Sequence, residues 1–207
     1  MTGWLDRPLI AMDCEATSTD PATARVLSIC LGLSIEPGKW QPTVLWVTPE
    51  DEVPEDAQKV HGLTREVVRA NAAGMSRADA LGRAAGLLDE AAGRGTPLVI
   101  HSAPYDLGLL NAEFRREIAC GLPDGLLVLD LLVLHRRLNR LTGSRRLEVL
   151  AAQNGIKFPA HDAEQDALAT LRLLHILANE NELLPLVPVR DLMPLQARWS
   201  ADQQAAL

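Results

Sequence analysis

The chain has 207 residues, 47% of them hydrophobic and 23% charged, and carries a formal net charge of −7 at pH 7. This length and composition suit one domain with a buried core, and they exclude both a mainly disordered chain and a transmembrane helix, because no apolar run is long enough to span a membrane. The negative charge argues against a nucleic-acid partner, since phosphate binding favours basic surfaces, unless several of the acids hold cations.

Three strands are predicted near the N-terminus. Residues 9–12 form a short apolar run that is typical of a buried strand, and every second residue from 27 to 35 is large and apolar, which is the period of a strand. Residues 43–48 are rich in β-branched side chains and form the third predicted strand. A turn between the second and third strands is indicated by Pro37, Gly38 and Pro42. These three strands are therefore expected to form an antiparallel meander.

Helices and strands then alternate along the chain. Ser76 can cap a helix that runs to about residue 92, with Asp79 three residues on as in a capping box, and a Gly93-to-Pro97 stretch is expected to end it. The later predicted elements are a strand at 98–100, a helix from about Pro104, a strand or helix start at 126–129, and helices at 145–153 and 163–178, the last capped by Asp162. This order predicts an α/β domain with a mixed sheet, in which the strand at 98–100 lies beside the first strand.

Residues after 178 differ in character from the rest of the chain. They include Pro185, Pro188 and Pro194, and a short helical pattern that contains Trp199. Prolines at this spacing predict an extension that leaves the domain, either as an interaction arm or as a strap across it. We therefore expect a folded domain at residues 1–178 and a C-terminal extension at residues 179–207.

Two carboxylates stand at the end of the first predicted strand. Asp13 and Glu15 are alternate residues, so both side chains can face one point. Two convergent carboxylates repel each other unless a cation lies between them, and oxygen ligands of this kind suit Mg²⁺ or Mn²⁺. The alternative is a solvated pair in a turn. A second Asp-x-Glu at Asp162–Glu164 shows that the tripeptide alone is weak evidence for a metal site.

Further candidate residues lie at two other element boundaries. Asp106 falls in the first turn of the helix after the strand at 98–100, a place where ligand sites of α/β sheets gather, although an acid there can also simply favour the helix dipole. His161 precedes the cap of the last helix, and Asp166 lies one turn inside it. Histidine suits proton abstraction near neutrality. His101 and Asp106 share the same spacing, so the pair alone is not decisive.

Together these segments resemble the DEDDh family of DnaQ-like 3′→5′ exonucleases over roughly residues 8–178. The matching segments are residues 13–17, 99–106 and 161–167, with residues 60–64 similar to a segment common in the polymerase-associated branch. The chain departs from the family pattern at Cys14, Ala16, Ser28, Ser102 and Tyr105, where the family often has Thr, Thr, Glu, Asn and Phe. None of the five catalytic positions is altered.

The resemblance implies an RNase H-like fold, a five-stranded mixed sheet flanked by helices, and a mechanism with two divalent cations, Mg²⁺ or Mn²⁺. Asp13, Glu15 and Asp166 would hold the first ion, which activates a water, and His161 would remove the proton of that water. Asp13 would also bridge to the second ion, with Asp106 nearby or acting through water, and the product would be a nucleoside 5′-monophosphate. Residues expected to bind substrate are Cys14, Ala16, Thr17, His61, Thr64, Ser102, Tyr105 and Arg145.

A cluster of basic residues lies before the helix at 145–153. It consists of Arg136, Arg137, Arg140, Arg145 and Arg146. Such a cluster can pair with backbone phosphates, and it can equally be a solvated helix face. The sequence favours neither interpretation.

The leading functional interpretation is an exonuclease that acts on single-stranded or frayed 3′ ends of DNA. The alternatives are an RNA or oligoribonucleotide exonuclease, because no reader of the 2′-hydroxyl can be identified, and a catalytically inactive accessory protein of a polymerase. A proofreading role would need a separate DNA polymerase chain. We expect a cytoplasmic protein with no membrane partner, since the N-terminus lacks a signal-peptide pattern and the three cysteines lack metal-like spacing. The extension after residue 178 is not expected to be needed for chemistry.

Overall fold

The computed structural model describes residues 3–36, 38–139 and 143–205. Its core is a five-stranded mixed sheet in the order β3-β2-β1-β4-β5. The strands are β1 (Leu9–Ala16), β2 (Val26–Glu36), β3 (Lys39–Trp46), β4 (Leu98–Ile100) and β5 (Val128–Asp130). The first three strands are antiparallel, β4 lies parallel beside β1, and β5 lies parallel beside β4. The predicted meander and the predicted neighbour of the first strand are both confirmed.

Eight α-helices flank the sheet in the described part of the chain. They are α1 (Glu55–His61), α2 (Arg65–Ala72), α3 (Arg77–Arg94), α4 (Ala103–Glu117), α5 (Leu131–Leu138), α6 (Leu147–Gln153), α7 (Ala163–Glu180) and α8 (Val189–Ala205). Short 3-10 helices lie at Trp4–Asp6 and Leu184–Leu186. None of the helices in the described ranges is long and apolar enough to cross a membrane. The α/β class and RNase H-like architecture expected from the sequence are confirmed.

The core divides into two layers because the side chains of β1 alternate. Leu9 and Ala11 face a cluster that includes residues of α5, α6, α7 and α8. Met12 and Cys14 face the other cluster, which includes residues of α3 and α4. The sheet is therefore covered on both faces, and the end of β1 lies between the two layers of helices.

Several boundaries differ from the prediction. Pro42 lies inside β3 instead of in the turn, which the sheet tolerates because β3 is an edge strand. Pro37, the other proline of that turn, lies outside the described residues. The ambiguous segment at 126–129 resolves into β5 followed directly by α5. The helices α1 and α2 were not predicted; α1 has no buried residue and so no apolar period to detect.

The chain after residue 178 returns to the sheet. The helix α8 lies against β5 and α5, and Val189 and Leu192 are buried in the same cluster as α7. The proline-rich stretch therefore does not lead away from the rest of the fold. The division of the chain at residue 178 stays a prediction.

Candidate active site

The face of β1 that packs against α7 changes from apolar to acidic along the strand. Leu9 and Ala11 lie in the core on this face, and Asp13 and Glu15 follow them at the C-terminal end of the strand. Asp166, in the first turn of α7, completes the group. One carboxylate oxygen from each of the three acids lies within 4.8 Å of the others. The fold therefore brings together acids from the first strand and from a helix near the other end of the chain.

His161 orients Asp166 through its backbone. Its N–H donates a hydrogen bond of 2.9 Å to Asp166 Oδ2, and its backbone is left-handed, with φ of 66°. Asp162 caps α7 by accepting hydrogen bonds from the backbone N–H groups of Glu164 and Gln165, both at 3.1 Å. The side chain of His161 is exposed. The residue thus fixes one carboxylate while its imidazole remains accessible from solvent.

Asp106 reaches the site from the neighbouring strand. The helix α4 starts just after β4, which lies beside β1, and Asp106 is buried in the first turn of that helix. Cys14 lies close to its carboxylate, and the backbone and thiol of Cys14 both act to lower the pKa of Asp106. Asp106 does not join the group of three within 4.8 Å, but its charge acts on Asp13. The strand order therefore places Asp106 beside the acids of β1, as the sequence predicts.

The acids of the site are buried and repel one another when they are ionised. Desolvation, followed by the charges of Asp106, Asp166 and Glu15, raises the pKa of Asp13 well above its usual value. Burial and the neighbouring acids raise the pKa of Glu15 to about 8. Burial also raises the pKa of Asp106 and that of Asp166 to about 7, although hydrogen bonds act in the opposite direction. A divalent cation that prefers oxygen ligands would relieve this repulsion, so the donor set fits such an ion.

His61 stands near the site in a defined tautomer. Its Nδ1 accepts a hydrogen bond from the Leu63 backbone N–H at 3.0 Å, so the proton of the neutral ring is on Nε2, which lies 3.3 Å from the Ala16 carbonyl oxygen. Burial lowers the pKa of His61, with the charge of His161 acting in the same direction. Thr64 caps α2 by accepting a hydrogen bond from Val67 N–H. Both side chains already have internal partners, and their contact with substrate stays a prediction.

Other residues predicted to bind substrate also have structural partners. The Thr17 hydroxyl accepts a hydrogen bond from Arg25 N–H at 2.8 Å, and the Tyr105 hydroxyl donates one to the Ser18 carbonyl oxygen at 2.6 Å. Ser102 has a left-handed backbone, with φ of 68°. These contacts fix the loop that follows β1 against α4. Contact of Thr17, Ser102 and Tyr105 with a substrate stays a prediction.

A buried ion-pair network holds that same loop. Glu113 of α4 is fully buried and pairs with Arg25 at 2.9 Å, with Arg77 at 2.5 Å and with Arg116. Arg116 also donates a hydrogen bond of 2.9 Å to the Ala22 carbonyl oxygen in the loop. Apart from the Glu113–Arg116 pair within α4, sequence patterns do not indicate this network, because Arg25 and Arg77 lie on other segments of the chain.

Several arginines of the predicted basic cluster make contacts within the protein. Arg145 donates a hydrogen bond of 3.3 Å to the Asn139 carbonyl oxygen, and Arg146 pairs with Glu148 at 3.1 Å. The guanidinium of Arg137 lies 5.6 Å from the centre of the Trp199 ring. Arg140 lies outside the described residues. The choice between a phosphate-binding surface and a solvated face stays open at these positions.

Asp130 is a residue of this region that the sequence reasoning missed. It ends β5, is buried, and its carboxylate accepts hydrogen bonds from four backbone N–H groups: Ser102, Ala103, Leu132 and Val133. The signal that could have found it is an aspartate that interrupts an apolar run just before a helix, which is a helix-cap pattern. That pattern indicates the bonds to Leu132 and Val133, but not those to the start of α4.

Comparison with known proteins agrees with this geometry. Residues 10–174 match the model of the RNase_T family, described as Exonuclease. No curated protein matches the chain significantly.

Solved structures of exonuclease I share the fold. The chain is 22% identical to Escherichia coli exonuclease I in complex with a dA16 oligonucleotide, with a TM-score of 0.71, and the match covers 86% of this chain and 42% of that one. The zinc-bound form of the E. coli enzyme in its complex with single-stranded DNA gives 22% identity, a TM-score of 0.72 and the same coverage. Exonuclease I of Methylocaldum szegediense gives 23% identity, a TM-score of 0.67, and coverage of 84% and 41%. The chain thus spans about two fifths of the length of these enzymes.

Proposed function

This chain belongs to the RNase_T family of exonucleases, and from that premise we propose that it is a DEDDh-type hydrolase that works in the 3′→5′ direction. The proposed reaction removes nucleoside 5′-monophosphates from single-stranded 3′ ends of DNA with the help of two divalent cations. The observation that carries the proposal is the group of Asp13, Glu15 and Asp166. Its three carboxylates meet within 4.8 Å at the end of β1, with Asp106 beside them.

The acidic residues of the site would bind the two metal ions. Asp13, Glu15 and Asp166 would hold one ion, and Asp13 with Asp106 would hold a second, as Mg²⁺ or Mn²⁺. Ions bound there supply Lewis-acid stabilisation for the attacking water and for the leaving 3′ oxygen. The carboxylates must be ionised to bind cations, and their raised pKa values mean that protons compete with the metal in the free protein.

His161 holds no metal in this proposal. Its exposed imidazole, at the edge of the carboxylate group, takes the proton of the attacking water. The hydrogen bond from its backbone to Asp166 holds the main chain of His161 next to a predicted metal ligand. The catalytic set therefore consists of Asp13, Glu15, Asp106, His161 and Asp166.

DNA is proposed as the substrate because structural relatives of this fold are described in complex with dA16 and with single-stranded DNA. This activity suits proofreading or repair. A proofreading role requires a polymerase supplied by a separate chain.

The test is digestion of matched DNA and RNA oligonucleotides labelled at the 5′ end, with Mg²⁺, with Mn²⁺ or with EDTA. We expect a ladder of shortened DNA products and release of nucleoside 5′-monophosphates only when metal is present. Asp166→Asn should abolish the ladder, whereas Glu164→Gln, a change to another acid in the first turn of the same helix, should leave it. Faster digestion of RNA than of DNA would mean that RNA is the preferred substrate, and digestion in EDTA would refute the role of the metal.

A further inference from the structure

The free edge of β5 is covered by side chains of the C-terminal helix. The strand β5 is the last in the sheet, so the backbone groups on its outer side have no neighbouring strand. Gln196 of α8 satisfies two of them: its Oε1 accepts a hydrogen bond from Asp130 N–H at 2.8 Å, and its Nε2 donates one to the Val128 carbonyl oxygen at 2.9 Å. Met193 Sδ accepts a hydrogen bond from Val128 N–H at 3.0 Å. The amide of Gln196 thus substitutes for a sixth strand.

The residue held by Gln196 also holds the start of α4. Asp130 Oδ2 accepts a hydrogen bond from Ala103 N–H at 3.0 Å, and Oδ1 accepts one from Ser102 N–H at 3.2 Å. Ser102 is the residue with the left-handed backbone where the chain turns from β4 into α4. A left-handed conformation is unfavourable for serine, so these two hydrogen bonds stabilise a turn that the sequence alone does not favour.

The turn sets the position of Asp106. Asp106 lies in the first turn of α4, three residues after Ala103, and it is buried. A shift of the Ser102–Ala103 backbone therefore moves its carboxylate directly. Gln196 and Asp130 are themselves buried, with 7% of each residue exposed, so water does not readily replace the hydrogen bonds between them.

We propose that Asp130 is a positioning residue for Asp106, and that Gln196 holds Asp130 in place, so that α8 is a part of the active-site scaffold. This inference rests on the proposed function in one respect: it takes Asp106 to be a metal ligand. It reverses the expectation that the chain after residue 178 is not needed for chemistry. The line of contacts runs from α8 through the edge of β5 and the turn at Ser102 to a predicted metal ligand.

The test compares two substitutions in this line with one outside it. Asp130→Asn keeps an oxygen acceptor for three of the four backbone N–H groups but turns an amide NH₂ towards Ala103 N–H, so it selectively breaks the bond to α4. Gln196→Met keeps the length of the side chain and removes both hydrogen bonds to β5. Gln203→Met is the control, since Gln203 of α8 donates a similar bond of 3.3 Å to the Val133 carbonyl oxygen in α5, and this bond joins neither the edge of β5 nor the turn at Ser102.

The first readout is hydrolysis of a single-stranded DNA oligonucleotide at varied Mg²⁺ concentrations. Loss of a residue that supports a metal ligand typically costs about 10–100-fold in activity or metal affinity. We expect Asp130→Asn and Gln196→Met to lower kcat by about that factor and to need more Mg²⁺ for half-maximal rate, with the KM for the oligonucleotide nearly unchanged. Gln203→Met should match the wild type.

The second readout does not depend on catalysis. Backbone amide exchange at residues 102–106 should be faster in Gln196→Met than in Gln203→Met, measured by mass spectrometry on the folded proteins. Unchanged exchange and unchanged Mg²⁺ dependence in Gln196→Met would overturn the inference, as would an equal loss in Gln203→Met. A wild type that cleaves no oligonucleotide would refute the proposed function alone, because the exchange measurement still tests the contacts.

Discussion

The backbone N–H of His161 donates a hydrogen bond of 2.9 Å to the Asp166 carboxylate, while the imidazole of His161 is exposed. One residue therefore contributes to the candidate site in two separable ways. The backbone contribution depends on the left-handed conformation at His161, and the side-chain contribution depends on the ring alone. A substitution can remove the second while keeping the first, which makes the two roles accessible to experiment.

The metal-free protein should lose stability as the pH rises. The pKa of Glu15 is raised to about 8 from the usual 4.5, and those of Asp106 and Asp166 to about 7 from the usual 3.8. The folded state therefore binds these protons more tightly than the unfolded state, so the free energy of unfolding falls from about pH 4 to about pH 8. Urea denaturation in EDTA across this range measures the slope.

Two comparisons isolate the carboxylates from other titrating groups. Burial lowers the pKa values of His61 and His101, which gives an opposite slope, but that contribution is the same in Glu15→Gln and cancels against the wild type. Glu15→Gln should flatten the fall, and Mg²⁺ should stabilise the wild type more at pH 8 than at pH 5, because the ionised acids bind it. A fall that is identical in Glu15→Gln would contradict the assignment to this site.

The network around Glu113 should contribute strongly to stability. Glu113→Ala removes the buried partner of Arg25, Arg77 and Arg116, and breaking a buried ion pair by losing one partner typically costs about 3–5 kcal/mol. Glu90→Ala, which removes an exposed pair with Arg94, should cost at most about 1 kcal/mol. Chemical denaturation of both variants measures the difference. Equal losses of stability in Glu113→Ala and Glu90→Ala would contradict a large contribution from the buried network.

The basic cluster can be tested through the salt dependence of binding. If Arg136 and Arg146 bind the phosphates of a single strand, replacing both with alanine should make the plot of log K against log salt shallower by about 0.7 for each phosphate that is no longer neutralised. Arg94→Ala, on α3, should leave the slope unchanged. Binding is measured with the hydrolysis blocked by Asp166→Asn. A slope that stays the same in the double variant would favour the solvated-face interpretation.

Much of the fold is visible in the sequence because its signals are local. The strand at Leu98–Ile100 and the cap at Asp162 occur as predicted, since an apolar run and an aspartate before a helix need no distant partner. The site follows from strand order, because a strand beside β1 brings Asp106 to Asp13.

What the sequence could not supply depends on contacts between distant residues. The bonds from Gln196 to β5 join residues 66 and 68 positions apart, and no periodic pattern records them. The left-handed backbone at Ser102 is equally hidden, although the family's frequent asparagine there now has a physical reason, since asparagine adopts that conformation more readily. The helices α1 and α2 were missed because they expose most of their residues.

The central claim is that Asp13 binds metal and His161 moves a proton. Asp13→Asn should lose metal binding and cleavage together. His161→Asn is the better partner variant than His161→Ala, because asparagine tolerates the left-handed backbone and so preserves the bond to Asp166, whereas alanine there is disfavoured by about 1–2 kcal/mol. Removing a general base typically costs about 10²–10⁴-fold in rate, so residual cleavage should be measurable.

The most direct measurement is Mn²⁺ titration by calorimetry on these two variants, alongside single-turnover cleavage of a single-stranded DNA oligonucleotide. The account predicts that His161→Asn binds Mn²⁺ as the wild type does and cleaves about 10²–10⁴-fold more slowly, whereas Asp13→Asn neither binds nor cleaves. Cleavage by His161→Asn at the wild-type rate, or loss of its metal together with its activity, would contradict the account.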